Sequence, residues 1–446
     1  MAHCQSRHLG PLVWGERLTA KVTSGRGVAV SLTPLPLEAD SRAYRIAGAL
    51  AEAGFRSIVV ETRASVRRFW GEGIEVRSAA RAMAGAGPNL VFRPGRLHNA
   101  VTMARRGGLG AVGEAGLYAG FRAVEWWRYC HLPRPLIPPA ELYVLHSFEL
   151  YRAVAPLARR LGARILYDAH DFYRAIEPPE RQSAFDRHRR QPFLHRLEDR
   201  LAAAADMLTT VGSGVADLMA QAFGRWPEVI RNCHDERLDR ADALPLRNML
   251  GLGEADRLAV VVGNCKPGLA VGVAAAALQR LPANWHLAFL GRGYEAVAAA
   301  LPDGLVGKRL HLGHVVAPDE IVPTIRSADL GLVLYEPYSD NYRYALPNGF
   351  FQVVAAGLPL VRGELPEIEA TIGGAAIGYS LSRLEPEGLA QAMLHSIEDR
   401  DRLRTNVAAL ARTLRWENEA MRLRRLIEAV RAPSASSRLA PLGVAG

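Results

Sequence analysis

Four short segments hold residues whose types and spacing can do chemistry. In YDAHDFYR, residues 167–174, an apolar run ends in a polar cluster, and the carboxyl end of a strand is where open α/β sheets bind ligands. His170 and Asp171 would face that crevice, where a neutral imidazole can hydrogen-bond a hydroxyl or the backbone. The plainer reading is a histidine satisfied within the fold, and His146, after the preceding apolar run, is open to the same two readings. In VVVGNCKPGLA, residues 260–270, a buried strand runs into a loop and then a helix. With Gly263, Asn264 and Gly268 in the turn, backbone N–H groups and a helix N-terminus would meet a phosphate, and Lys266 adds a point charge. Neither GxxxxGK[ST] nor GxGxxG is present there, so a plain strand-to-helix turn with a solvated lysine stays open. A parallel turn, LGRGYE at 290–295, carries Arg292, Gly293 and Tyr294, and its glycines let a ligand approach the backbone. The fourth segment, NYRYALPNGFFQVVAAGLPLV at 341–361, is a polar loop with Tyr344, then Pro347-Asn348-Gly349, a short amphipathic helix with Phe350 and Gln352, and a buried strand. Glu336, just upstream, offers a carboxylate or is simply a loop residue at a strand end.

Short apolar runs alternating with longer stretches of helical period must position these segments, which is the pattern of β-α-β units around parallel sheets. Strands are expected at 28–32, 58–61, 143–145, 164–168, 207–211 and 229–231, then at 258–263, 286–291, 330–335 and 359–361. The first strand leads through a Pro-rich turn containing Pro34 into a helix over 40–54, capped by Asp40 or Ser41. This divides the chain into an N-terminal Rossmann-like domain (1–240), a C-terminal one (241–415), a final helix (416–431) and a disordered tail (432–446).

Charge narrows the partners. The net charge of +10 favours anionic ones, and only three lysines (Lys21, Lys266 and Lys308) are present, so nearly all of the positive charge is arginine. No helix-turn-helix, RNP-like or zinc-finger pattern supports nucleic acid, and four scattered cysteines without a CxxC pair argue against a disulfide framework or a zinc site. No metal or cofactor is expected. The absence of a long apolar segment points to a cytoplasmic chain. The stretch 93–134, rich in arginine and aromatics with only Glu114 and Glu125 acidic, could rest on anionic headgroups at the inner face of a membrane through Arg122, Trp126, Trp127, Arg128 and Tyr129. The alternative is a helix packed on the sheet with its arginines solvated.

The fourth segment resembles the nucleotide-sugar loop of the group 1 (family 4) glycosyltransferases, retaining enzymes with two facing Rossmann-like domains, the GT-B fold. Other segments match in order: residues 167–171 resemble the family's YDxHE/D, 205–213 its ADxxxTVS, 229–232 its viyN, 263–268 its GxxxxKG, 290–293 its lvGxG and 414–416 its fsW, covering most of the chain from 28 to 431. The resemblance implies an α/β fold of the GT-B type whose C-terminal helix packs back toward the N-terminal domain. It implies a sugar moved from a nucleoside diphosphate donor, UDP in preference to GDP, to a hydroxyl on a glycan, lipid-linked or small-molecule acceptor. The N-terminal half would bind acceptor, with Pro34 and His146 in contact, and the C-terminal half donor. His170, Asp171 and Lys266 would serve the reaction, His170 beside the donor sugar. Gly263, Asn264, Gly268, Arg292, Gly293 and Tyr294 would lie around the diphosphate, and Glu336, Tyr344, Asn348, Gly349, Phe350 and Gln352 around the sugar and ribose. Departures are plain: Tyr344 and Gln352 stand where many members carry glutamates, PNGFFQ replaces PNKxFE, and Asn264 or Cys265 replaces an arginine. A descendant that binds sugar nucleotide without turnover, as partner of another transferase, is the alternative.

Overall fold

The computed structural model describes residues 27–66, 73–80, 111–302 and 304–431. Its strands are β1 (Val28–Thr33), β2 (Arg56–Glu61), β3 (Ile74–Ser78), β4 (Leu142–Leu145), β5 (Arg164–Ala169), β6 (Met207–Thr210), β7 (Glu228–Val229), β8 (Arg257–Val262), β9 (Trp285–Leu290), β10 (Leu310–His314), β11 (Leu330–Val333), β12 (Leu360–Gly363) and β13 (Gly378–Leu381). They form two sheets, of order β3-β2-β1-β4-β5-β6-β7 and β10-β9-β8-β11-β12-β13, and every pairing is parallel. Parallel strands covered on both faces read as continuous apolar runs, and the four residues of β4 and five of the six in β8 are buried. The strands absent from the sequence expectation, β3, β10 and β13, are edge strands whose sequences IEVRS, LHLGH and GYSL mix polar with apolar residues.

Seven helices bear on the site: α1 (Ser41–Glu52), α2 (Ala111–Trp126), α3 (Ser213–Phe223), α4 (Asp340–Arg343), α5 (Asn348–Ala355), α6 (Pro366–Ile372) and α7 (Trp416–Arg431). Asp40 caps α1, its Oδ1 accepting the Ala43 amide at 3.0 Å. Helix α7 leaves the second sheet and packs on the first domain, where Trp416, Ala420, Leu423 and Ile427 share a core with Ala29, Ile46, Leu50 and Leu166. The Arg45 guanidinium lies 5.6 Å above the Trp416 ring.

Helix α2 packs Tyr118 and Phe121 onto other aromatics of the first domain. Phe121 meets Phe185 and Phe193 edge-on at 6.4 and 5.9 Å, and the Arg122 guanidinium covers Phe193 at 5.0 Å. Tyr129, expected at an amphipathic rim, is buried instead, whereas Trp126 is exposed. Residues 93–110 of the arginine-aromatic stretch and the tail 432–446 lie outside the described residues. Among the described residues no helix is long and apolar enough to cross a membrane.

Candidate functional site

Strand order reverses between β1 and β4 in the first sheet and between β8 and β11 in the second. Such switch points leave a crevice at the carboxyl ends of the strands. Pro34 and His146 follow β1 and β4, and Gly263–Gly268 and Glu336 follow β8 and β11, so the topology itself draws these candidates to two crevices.

In the second domain the two glycine turns are joined directly. The Gly263 amide donates to the Leu290 carbonyl at 2.9 Å, the Cys265 amide to the Arg292 carbonyl at 2.8 Å, and the Arg292 amide to Asn264 Oδ1 at 2.9 Å. A Cβ on Gly291 would stand 2.1 Å from the Gly263 carbonyl oxygen, and its φ of +152° also favours glycine, so the turns can meet only without a side chain there. Tyr294 braces them from beneath, its hydroxyl donating to the Gly263 carbonyl at 2.7 Å; burial pushes this phenol well above its ordinary pKa. Tyr294 is therefore a support of the turn and not a lining group. Lys266 and Arg292 are exposed on the two turns.

The segment between β11 and α5 lies against the first turn. The Glu336 amide donates to the Gly268 carbonyl at 2.7 Å, and a Cβ on Gly268 would come within 2.7 Å of the Tyr338 ring. The Glu336 side chain is exposed. Helix α5 starts tight against β8, since a Cβ on Gly349 would lie 2.5 Å from the Val262 carbonyl oxygen. This brings the exposed Asn348 and the half-buried Gln352 beside the end of β8. Phe350 is fully buried in the second core, against the expectation that it lines the donor site, because the inward face of α5 is Phe350, Phe351, Val353 and Val354. Tyr344 packs across the cleft on Gly214 at the start of α3: a Cβ there would fall 2.1 Å from its ring.

On the first domain's side, Asp168 at the end of β5 is wholly enclosed. It accepts from Arg42 at 2.6 Å, from His146 Nδ1 at 2.9 Å and from Thr209 at 2.7 Å. Burial would raise its pKa, but the Arg42 guanidinium and His146 outweigh that and hold the carboxyl far below the usual range. His146 is only 1% exposed and belongs to this network, with its Nε2 enclosed and unpartnered among the described residues. Pro34 is half-buried, and its carbonyl accepts from Thr62 at 2.8 Å. His170 and Asp171 stand at the crevice, partly exposed, with Nε2 and Oδ2 3.7 Å apart. Among the described residues no group of three or more His, Cys, Asp or Glu could hold a metal ion.

Hydrogen bonds of three more side chains join the domains beside the Tyr344 contact, and none was anticipated from the sequence. Glu367 of α6 accepts the Ser213 and Gly214 amides, each at 2.7 Å, at the start of α3. Asn341 of α4 accepts the Phe172 amide at 2.7 Å and donates to Asp171 at 3.0 Å. Asn232 donates to Asn348, while its own oxygen accepts from Arg45. A carboxylate directly after a proline, as Glu367 in GELPEIE, signals a helix start but not which other helix it also caps.

No protein-family model and no curated protein matches the chain. Solved structures do. A sucrose-phosphate synthase from Thermosynechococcus elongatus shares 14% identity at a TM-score of 0.63, over 91% of this chain and 100% of that one. Anabaena HepE in complex with UDP-glucose gives 14% and 0.59, over 90% and 100%. The Escherichia coli trehalose-6-phosphate structure bound with UDP-2-fluoro glucose gives 13% and 0.59, over 91% and 99%. At such identities the likeness establishes the fold: two parallel-sheet α/β domains in the GT-B arrangement, with α7 returning to the first.

Proposed function

We propose that this chain is a glycosyltransferase that moves a sugar from a nucleoside diphosphate donor, UDP before GDP, to a hydroxyl acceptor, with retention at the anomeric carbon. The observation that carries the reading is the pair of joined glycine turns at the β8/β11 switch point, with Lys266 and Arg292 exposed on them and His170 on the opposite domain. Transfer from a diphosphate needs donors wherever negative charge grows on the leaving group. Lys266, Arg292 and the free amides of the turns are groups of that kind. Tyr344 is packed on Gly214 and brings no carboxylate to the sugar, which suits a same-face displacement in which the diphosphate itself takes the acceptor proton. His170 and Asp171 would stand at the sugar, Asn348 and Gln352 at the sugar and ribose, the latter through an amide that accepts more weakly than a carboxylate. The structural neighbours that carry UDP or UDP-sugars favour uridine. The first domain would take the acceptor, a glycan, a lipid-linked precursor or a small molecule. The exposed Trp126 and the arginines near it would give a cytoplasmic protein a peripheral contact with anionic lipid.

The test is a thermal-shift panel of UDP-, GDP- and ADP-sugars with UDP release measured alongside. A native-state ligand raises the melting temperature by mass action. UDP should do so, Lys266→Ala should weaken its Kd by about tenfold or more, as expected for a lost charged hydrogen bond, and His170→Ala should abolish release while keeping UDP bound. No shift with any nucleotide would refute the donor site. UDP binding with no release from any sugar would favour the second reading, a sugar-nucleotide-binding partner protein, to which the displaced Tyr344 lends support.

A further inference from the structure

Asn341 is buried on α4 in the second domain, yet both ends of its side-chain amide are committed to the first. Oδ1 takes the Phe172 N–H and Nδ2 gives to Asp171 Oδ1. A backbone N–H only donates and an ionised carboxylate only accepts, so the two partners fix which way the amide points. The other oxygen of Asp171 is 3.7 Å from His170 Nε2, His170 Nδ1 is enclosed with no partner among the described residues, and the His170 ring sits edge-on to Tyr173 at 6.1 Å. The segment bearing Asn341 is pinned from its other side as well. Tyr338 covers Gly268, the Tyr342 ring packs at a tilt against Tyr338 with centroids 4.4 Å apart, and Asn341 is the next residue back along the chain. One short stretch therefore touches the glycine turn at one end and the His170 loop at the other.

We propose that Asn341 is the positioning residue that seats the His170–Asp171 loop from across the cleft, so that His170 takes its orientation only when the two domains are together. Its consequence for turnover rests on the glycosyltransferase reading, whereas the seating itself does not. Asn341 contacts no substrate in this scheme and acts through the Phe172 amide and the Asp171 carboxylate. Without it, the amide loses its acceptor and Asp171 is free to rotate away from His170.

Two measurements on the full chain decide the matter. In Asn341→Ala, hydrogen exchange at the Phe172 amide should rise about tenfold or more, because the bond that protects it is gone. The kcat for UDP release should fall about tenfold or more while the Kd for UDP stays within about twofold, as expected when a group acts on the transition state and not on ground-state binding. Asn341→Asp sets a carboxylate against Asp171 and should lose protection at Phe172. Combining it with Asp171→Asn puts one donor opposite one acceptor again and should restore that protection. Unchanged exchange at Phe172 in Asn341→Ala would overturn the proposal, as would a loss of UDP affinity equal to the loss of kcat. If the parent protein releases UDP from no sugar donor, the transferase reading fails by itself, and exchange at Phe172 still decides whether Asn341 seats the loop.

Discussion

Asp168 holds its charge where no water reaches it, and Arg42, itself 3% exposed, answers with two guanidinium nitrogens while its third donates to the Ile230 carbonyl at 2.7 Å. Because a carboxylate only accepts, His146 must carry a proton on Nδ1, and its Nε2 meets no partner among the described residues. Removing one member of a buried ion pair strands the other, at a cost of about 3–5 kcal/mol. Asp168→Asn should therefore lower the stability measured in urea by about that amount, chiefly through the abandoned Arg42. The pH dependence has a definite sign. The folded carboxyl titrates below the unfolded value of about 3.9, so its stabilisation is complete above roughly pH 4 and drains away as pH falls further. The variant should have a flatter acid limb than the parent, and an identical limb would mean that Asp168 is not the charge responsible.

Glu367 does for α3 what a capping residue normally does from within its own chain segment, but it does so from α6 of the other domain. Two otherwise orphaned amides and the positive end of the helix meet one carboxylate that is 5% exposed. Glu367→Ala should cost about 1–2 kcal/mol, the range of a lost cap, and Glu367→Gln less, since an amide oxygen still accepts. Unchanged urea midpoints for both would show that the contact contributes nothing. This contact also marks what a sequence can disclose. The central strands β1, β4, β5, β8 and β11 were readable because burial on both faces demands apolar runs, and the Asp40 cap because its partner is three residues away. The edges β3, β10 and β13 escaped because one side of each has no neighbouring strand among the described residues and tolerates polar side chains. Gly263 and Gly291 were visible as glycines in turns, but that one presses on the carbonyl of the other follows only from the β8–β9 pairing. Phe350 was placed at the ligand by its motif, although the period of α5 turns it into the core. Glu367, Asn341 and Asn232 meet partners more than a hundred residues away in sequence, and no local pattern records such a meeting.

At the scale of the molecule the chain passes between domains twice, and the two passages lie side by side: His234 bridges Arg415, and the Trp416 amide donates to the His234 carbonyl at 3.1 Å. Two adjacent connections leave the placement of one domain on the other to contacts across the cleft, among them those of Asn341, Glu367 and Asn232. Trp416 stands where the second passage ends. Its ring is 1% exposed, packs among Ala29, Ile46, Leu50, Leu166 and Ile230, and lies under Arg45, whose guanidinium is lowered to about 10, by burial first and by Arg42 second. Every one of those apolar neighbours belongs to the first domain, although Trp416 follows the second in sequence. Truncating a buried tryptophan costs about 3–5 kcal/mol, so Trp416→Ala should destabilise the protein by that order and the loss should be one-sided. Amide exchange should quicken in α1 and β1 while β8 and β11, which share no core with Trp416, keep their protection. Equal quickening in both sheets would mean that the domains unfold as a single cooperative unit and that α7 is not a clasp on the first alone. Arg45 also reaches Asn232, which holds Asn348 at the head of α5, so the same variant should weaken UDP binding without altering any residue of the cleft.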